Sequence, residues 1–407
     1  VTGPAATTRI GLLTREYPPE VYGGAGVHVE YLARHLGRIP GVDVDVRCFG
    51  APRADPLVGG AYEPWDALPA DGVGAALRAL SVDLRFAADL GHVDLVHSHT
   101  WYANLGGHLA KLAWGVPHVA TCHSLEPLRP WKAEQLGGGY AISGWAERTA
   151  LVAADAVIAV SAGMRDDVLG VYPDVDPDRV QVVHNGIDAA EYVPDHRTDV
   201  LERHGIDPRR PYVMFVGRIT RQKGIAHLLA AAARLDPAAA LVLCAGAPDT
   251  PDLGAEIAGA VEDLAEQRDG VHWIDTMLPR ADIVQLLSHA SVFVCPSVYE
   301  PFGLINVEAM ACEVPVVASA VGGIPEIVVD GETGILVPFE AGDDPYGSPR
   351  DPDGFAAALA TAVDSLLAAP DRAAAMGRAG RARVLDHFTW EAIAEATAGI
   401  YRRLLVP

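Results

Sequence analysis

Two α/β domains, each a doubly wound parallel sheet, are what this sequence predicts, and three observations carry the prediction. The strand-like runs are continuous in Val, Ile and Leu rather than alternating, as strands covered on both faces require. Amphipathic helical segments separate them, so that each crossover lays a helix on the sheet. The length, 407 residues, exceeds what one hydrophobic core ordinarily serves.

In order, the runs of the first half are Arg9–Leu13, Val42–Cys48, Leu95–His97, His118–Cys122, Ala156–Val160 and Val180–Val183, with helical stretches such as His28–Leu36 and Leu105–Leu112 between them. The second half repeats the grammar with Tyr212–Val216, Ala240–Cys244, Val271–Trp273, Val292–Cys295, Val314–Ala318 and Ile335–Val337. Glu191 to Arg210 is charged, carries Pro194 and Pro208 and lacks an apolar period, so the hinge is expected near Pro194. The expected divisions are 1–193, 194–387 and a terminal segment 388–407. Its amphipathic helix, Glu391–Leu405, is free to cover either domain, including by a return to the N-terminal one.

A formal net charge of −22 disfavours nucleic acid and anionic membrane surfaces as partners. The five cysteines are odd in number and contain no C-x-x-C pair, which speaks against a disulfide framework or a zinc knuckle and for a reducing compartment. Val1–Thr8 shows no signal pattern and no apolar run is of membrane-spanning length, so a cytoplasmic protein is expected.

In open α/β sheets ligands bind beyond the carboxyl ends of the strands, and the candidate residues follow strands. After Arg9–Leu13 comes Gly23-Gly24-Ala25-Gly26 before a helix expected near Val27, where backbone amides can approach a diphosphate. A dinucleotide reading, with Asp43 or Asp45 as the ribose acid, is marked down because Val29 replaces the third glycine. His97 and His99 share one face of a strand end but have no further metal ligand nearby in sequence, so they read as polar residues lining a floor. His123 follows the next strand and is placed for a contact with a sugar. In the second half Arg218, Arg221 and Lys223 cluster within six residues of an acidic chain, and Arg218 and Lys223 are suited to clamp a leaving diphosphate. Glu300 lies in a strand-to-helix loop, Pro301 suits a first helical turn, Gly303-Leu304 presents amides, and Glu308 stands two turns further on the same side. Asp43-Val44-Asp45 and Asp174-Val175-Asp176 are acidic pairs in a half-buried strand and a turn, not a metal site.

These residues resemble the retaining glycosyltransferases of the two-Rossmann-domain (GT-B) architecture, family four, which includes glycogen synthase-like enzymes. The likeness runs from Tyr17-Pro18-Pro19 through His184-Asn185-Gly186-Ile187-Asp188 to Phe388-Thr389-Trp390, and the Glu300/Glu308 element is its most specific part. It implies two domains facing a deep cleft. Arg218 and Lys223 would bind the donor diphosphate, Glu308 the ribose, and Glu300 with the Gly303 and Leu304 amides the donor-sugar hydroxyls. Gly23 and Gly24 would approach the donor and His123 the reacting carbon. His123-Ser124-Leu125-Glu126-Pro127-Leu128-Arg129-Pro130-Trp131-Lys132, with Gly137-Gly138-Gly139-Tyr140, is most similar to a branch that moves glucose from ADP-glucose to glucose 1-phosphate, forming α-maltose 1-phosphate. On that likeness Arg129, Lys132 and Tyr140 are the expected acceptor residues. The glycogen-synthase Lys-x-Gly-Gly loop reads Val21-Tyr22-Gly23-Gly24 here, and the acid of its His-x-His-Asp-Trp is Thr100, which weakens the alternative of long-glucan elongation. No cofactor or metal is expected, and a homodimer is left open. A nucleotide-sugar 2-epimerase and a non-catalytic glucan-binding protein are the competing classes. The former would act on a nucleotide sugar without an acceptor, and the latter would release no nucleotide.

Overall fold

The computed structural model describes residues 7–344 and 346–406, the side chains at 134 and 135 excepted. Residues 1–6, read above for a targeting signal, lie outside that description. The chain forms two compact units, one combining residues up to Gly186 with those from Trp390 onward, the other running from Ile187 to Thr389.

In the first unit the strands are β1 (Thr8–Thr14), β2 (Val42–Phe49), β3 (Val58–Tyr62), β4 (Leu95–His99), β5 (His118–Cys122), β6 (Ala156–Ala159) and β7 (Val180–Val182). They pair in parallel in the order β3-β2-β1-β4-β5-β6-β7. The second unit has β8 (Tyr212–Arg218), β9 (Ala240–Gly246), β10 (Val271–Ile274), β11 (Val292–Cys295), β12 (Val316–Ser319) and β13 (Gly334–Val337), parallel in the order β10-β9-β8-β11-β12-β13. Central strands such as β4, β5 and β9 are buried at every residue, which is why they read as unbroken apolar runs.

The structure departs from the sequence reading at four places, each with a local cause. Strand β3, Val-Gly-Gly-Ala-Tyr, was not expected, because paired glycines depress strand propensity. They are needed there: a Cβ on Gly59 would come within 1.9 Å of Asp45 Oδ1. The unit boundary falls before Ile187 rather than near Pro194. The Ile187 N–H donates to the Phe388 carbonyl at 2.8 Å and the Tyr192 carbonyl accepts from Arg381, so 187–193 is tied to the second unit. The helix expected near Val27 spans Gly24–Leu36 and takes up the glycines. The helix after β11 is Leu304–Ala311, not one begun at Pro301, because Gly303 at φ +105° cannot join a right-handed helix.

The terminal helix, Trp390–Leu405, belongs to the first unit. Trp390 is fully buried and stacks on Tyr31 with ring centroids 5.6 Å apart. Gly186 lies flat against the indole, where a Cβ would come within 2.7 Å of Cδ2. Burial of a tryptophan of this kind stabilises by about 3–5 kcal/mol.

Candidate active site

In each sheet the strand order reverses once, between β1 and β4 and between β8 and β11. Helices leave the two strands to opposite faces there, opening a crevice beyond their carboxyl ends. Arg218 ends β8 and Lys223 follows it, Glu300 follows β11, and His99 ends β4; His123 follows the adjacent β5.

In the second unit Lys223 Nζ donates to Glu300 Oε2 at 2.6 Å, and Ser297 Oγ donates to the same oxygen at 3.1 Å. Burial disfavours the Lys223 ammonium, but the Glu300 carboxylate outweighs it and holds the pKa above the ordinary lysine value. The lysine therefore stays charged. Thr220 Oγ1 caps the turn Arg221–Lys223, and the Val298 N–H donates to the Gln222 carbonyl at 2.9 Å, stitching that turn to the exit of β11. Two glycines permit the close approach. Gly224, at φ +64°, would place a Cβ 2.0 Å from the Pro296 carbonyl oxygen, and Gly322, at φ +53°, would place one 2.0 Å from that of Glu300. Arg218 reaches Asp249 at 3.4 Å and lies close enough to oppose the Lys223 charge. Two cations thus stand near one another at a strand end, Lys223 paired with Glu300 and Arg218 with Asp249, and fixed positive charge of this kind is suited to an anionic group.

Glu308 lies on the helix Leu304–Ala311 and is hydrogen-bonded by Tyr192. Burial pushes its pKa up to about 7, against the Tyr192 hydrogen bond and the Arg280 charge. A half-protonated buried carboxyl can both accept from and donate to vicinal hydroxyls. Tyr192, Arg280 and Ser297 were not singled out from the sequence. Tyr192 and Arg280 lie in segments without any motif, and Ser297 sits unremarked inside the Glu300 segment.

The first unit gathers the histidines. His28 comes from the helix Gly24–Leu36, and its Nδ1 lies 2.8 Å from Asn185 Oδ1. His99 Nδ1 lies 3.1 Å from His123 Nε2. His97 is held on both sides, by Tyr401 Oη at 2.6 Å and Thr121 Oγ1 at 2.7 Å. Burial lowers all four, His28 to about 4, and keeps the imidazoles neutral near pH 7. The Gly23 amide expected to meet a phosphate donates instead to Glu16 Oε2 at 2.8 Å.

Arg129 lies on a braced loop. Its Nη1 donates to Ser124 Oγ at 2.8 Å and approaches Glu126 Oε1 at 3.5 Å. Ser143 donates to the other Glu126 oxygen at 2.7 Å, and Tyr140 Oη donates to the Glu126 carbonyl. Beneath, Glu147 Oε1 accepts from the Glu126 N–H at 3.0 Å and from Tyr172 Oη at 2.6 Å. Lys132 opens the short helix Lys132–Leu136, with its N–H on the Arg129 carbonyl at 2.8 Å.

Burial, reinforced by the Glu126 charge, raises the Glu147 pKa to about 8. Because the folded-state value is raised, this group's contribution to stability is complete below the unfolded carboxyl pKa and is lost as pH rises through about 8. Glu147→Gln, which mimics the neutral acid, is expected to lose less melting temperature than wild type between pH 6 and 9, read by thermal denaturation. An unchanged pH slope would contradict a neutral Glu147 in the folded protein.

These geometries define a class: two Rossmann-like parallel sheets with charged and polar side chains gathered at their strand ends, as in a GT-B glycosyltransferase. Residues 22–191 match Glycosyltransferase Family 4, and residues 196–345 match Glycosyl transferases group 1. The chain is 57% identical over 401 residues to the alpha-maltose-1-phosphate synthase of Mycolicibacterium smegmatis, covering 97% of this chain and 99% of that one. It is 53% identical over 399 residues to the enzyme of that name from Mycobacterium tuberculosis, with 97% and 99% covered. The solved sucrose-phosphate synthase from Thermosynechococcus elongatus superposes with a TM-score of 0.78 at 27% identity, covering 98% of this chain and 99% of that one. The chain belongs to glycosyltransferase family 4, and it is a hexosyltransferase. Among the described residues no helix is long and apolar enough to cross a membrane.

Proposed function

We propose that this protein transfers glucose from ADP-glucose to glucose 1-phosphate with retention, forming α-maltose 1-phosphate by an α-1,4 linkage for α-glucan synthesis. The observation that carries the reading is the 57% identity, over 97% of the chain, to an alpha-maltose-1-phosphate synthase. The Lys223–Glu300 pair at 2.6 Å beside Arg218 supports it, because a nucleoside diphosphate leaving group needs fixed positive charge.

In this mechanism Arg218 and Lys223 take the diphosphate, and no metal is required to neutralise it. Glu308 holds the ribose, while Glu300 and the amides of Gly303 and Leu304 hold donor-sugar hydroxyls. Glu300 does two things at once: it keeps Lys223 protonated and accepts from sugar. His123 contacts the donor sugar near the reacting carbon, as a neutral imidazole. As the bond from the anomeric carbon to the β-phosphate oxygen breaks, that oxygen takes the proton of the acceptor hydroxyl. The hydroxyl oxygen bonds to carbon on the same face, so no covalent enzyme intermediate forms. Arg129 and Lys132 receive the acceptor phosphate, Arg129 preset by Ser124 and Glu126, while Tyr140, whose one O–H is donated to the Glu126 carbonyl, serves the acceptor site by holding that loop.

Incubation with ADP-, UDP- or GDP-glucose and either glucose 1-phosphate, maltooligosaccharide or no acceptor tests the reading, with products identified by mass spectrometry and anomeric NMR. The expected product is a disaccharide phosphate of α configuration made from ADP-glucose. Lengthened maltooligosaccharides alone, or conversion of the donor without acceptor, would overturn it. An Arg129→Ala/Lys132→Ala variant is expected to raise KM for glucose 1-phosphate by about tenfold or more with kcat little changed, the loss of at least one charge-assisted hydrogen bond of ~1.5 kcal/mol. An unchanged KM would remove these residues from the acceptor site.

A further inference from the structure

Three imidazoles of the first unit converge more closely than a sugar contact by His123 alone requires. His28, His99 and His123 each offer one ligand nitrogen, and these atoms all lie within 4.8 Å of one another. They arrive from three elements, a helix and the ends of two adjacent strands, so the cluster is fixed by the sheet rather than by a mobile loop.

The second nitrogen of His28 is arranged as a metal-binding imidazole needs, and that of His99 leaves its lone pair free to face the cluster. His28 Nδ1 faces Asn185 Oδ1 at 2.8 Å, and a carbonyl oxygen there accepts the N–H, which leaves the lone pair on Nε2. His99 Nε2 is enclosed without a hydrogen-bond partner among the described residues. With its proton on that nitrogen, the His99 lone pair lies at Nδ1, 3.1 Å from His123 Nε2. Two nitrogens bound tetrahedrally to zinc are about 3.3 Å apart for bonds of ~2.0–2.1 Å. His123 completes the set when its proton sits on Nδ1, a tautomer change that releases no proton. His97 is excluded, since Tyr401 and Thr121 occupy both its nitrogens. Burial keeps the three ligands neutral, the form that binds metal.

We propose that His28, His99 and His123 form a binding site for a borderline-soft divalent transition-metal ion such as Zn²⁺ or Co²⁺, and that its occupancy inhibits transfer by withdrawing His123 from the donor sugar. The binding stands on the cluster geometry; the inhibition rests on the His123 role proposed above. All-nitrogen ligation excludes Mg²⁺ and Ca²⁺, which take oxygen ligands.

The test uses tag-free protein stripped with chelator. Titration with Co²⁺ is expected to produce visible d–d absorption that saturates at one ion per chain, is displaced by Zn²⁺ and is unaffected by Mg²⁺. Zn²⁺ is expected to raise the melting temperature and suppress transfer, and EDTA to restore it. His28→Gln and His99→Phe, each verified to melt cooperatively, are expected to lose the Co²⁺ spectrum and the Zn²⁺-induced shift, and their residual transfer to lose its Zn²⁺ sensitivity. Absence of Co²⁺ absorption in the wild type, or the same absorption in both variants, overturns the site. Saturable binding without inhibition overturns the regulatory consequence and argues against His123 at the donor sugar, while leaving the assignment of Lys223 and Glu300 to separate measurement.

Discussion

Lys223→Ala is expected to lower kcat about 10²–10³-fold, the effect of removing one preorganised group that stabilises developing charge. The measurement is steady-state turnover with ADP-glucose and glucose 1-phosphate. The argument is electrostatic: the leaving diphosphate gains negative charge as the bond to the sugar breaks, and Lys223 is a fixed cation whose charge Glu300 secures at 2.6 Å. The same change leaves the Glu300 carboxylate buried without its counter-ion, so the melting temperature should fall by an amount equivalent to about 3 kcal/mol. Stability and catalysis then separate in the double variant. Lys223→Ala/Glu300→Gln is expected to regain most of the melting temperature, because no unpaired charge remains, and none of the rate. Turnover within a few-fold of wild type in Lys223→Ala would remove this lysine from the reaction.

Gly322→Ala is expected to cost about 10²-fold in kcat/KM although the residue carries no side chain, the penalty of displacing a positioned group by roughly 1 Å. A Cβ at Gly322 would lie 2.0 Å from the Glu300 carbonyl oxygen, a backbone atom that cannot step aside without carrying Glu300 with it. The Gly323 N–H also donates to that carbonyl at 2.9 Å, so the displacement breaks a hydrogen bond. Gly331→Ala is the control. Gly331 has φ +75° but nothing within 4 Å of an added Cβ, so it isolates backbone strain of about 1 kcal/mol from the contact. Gly331→Ala should lower the melting temperature slightly and leave kcat/KM intact. Equal losses in the two variants would show that strain, not the position of Glu300, governs the effect.

These glycines mark a boundary of what can be read from a chain of letters. Gly303-Leu304 was legible as a source of free amides beside a helix start, because the signal is local, although the start itself was placed at Pro301 and falls at Leu304. Gly224 and Gly322 carried no such signal, since each is required by a carbonyl brought against it from another segment, at Pro296 and at Glu300. The same holds for the acids. Glu300 and Glu308 could be placed from their spacing, whereas the Tyr192 hydrogen bond that opposes the burial-raised pKa of Glu308 comes from a residue more than a hundred positions earlier. Strand β3 was hidden for the converse reason: its glycines weaken local propensity, and only pairing with β2 makes it a strand.

From the letters alone follow the parallel α/β architecture, the strands other than β3 and the cationic and acidic residues placed at or after their ends, because apolar period and strand-end position are short-range properties. Tertiary structure alone decided which strand ends become neighbours, β1 beside β4 and β8 beside β11. That order set the Lys223–Glu300 pair and brought His28 to His99 and His123. Convergence of this kind depends on how helices cross between strands, and a crossover leaves no trace in the spacing of the residues it unites.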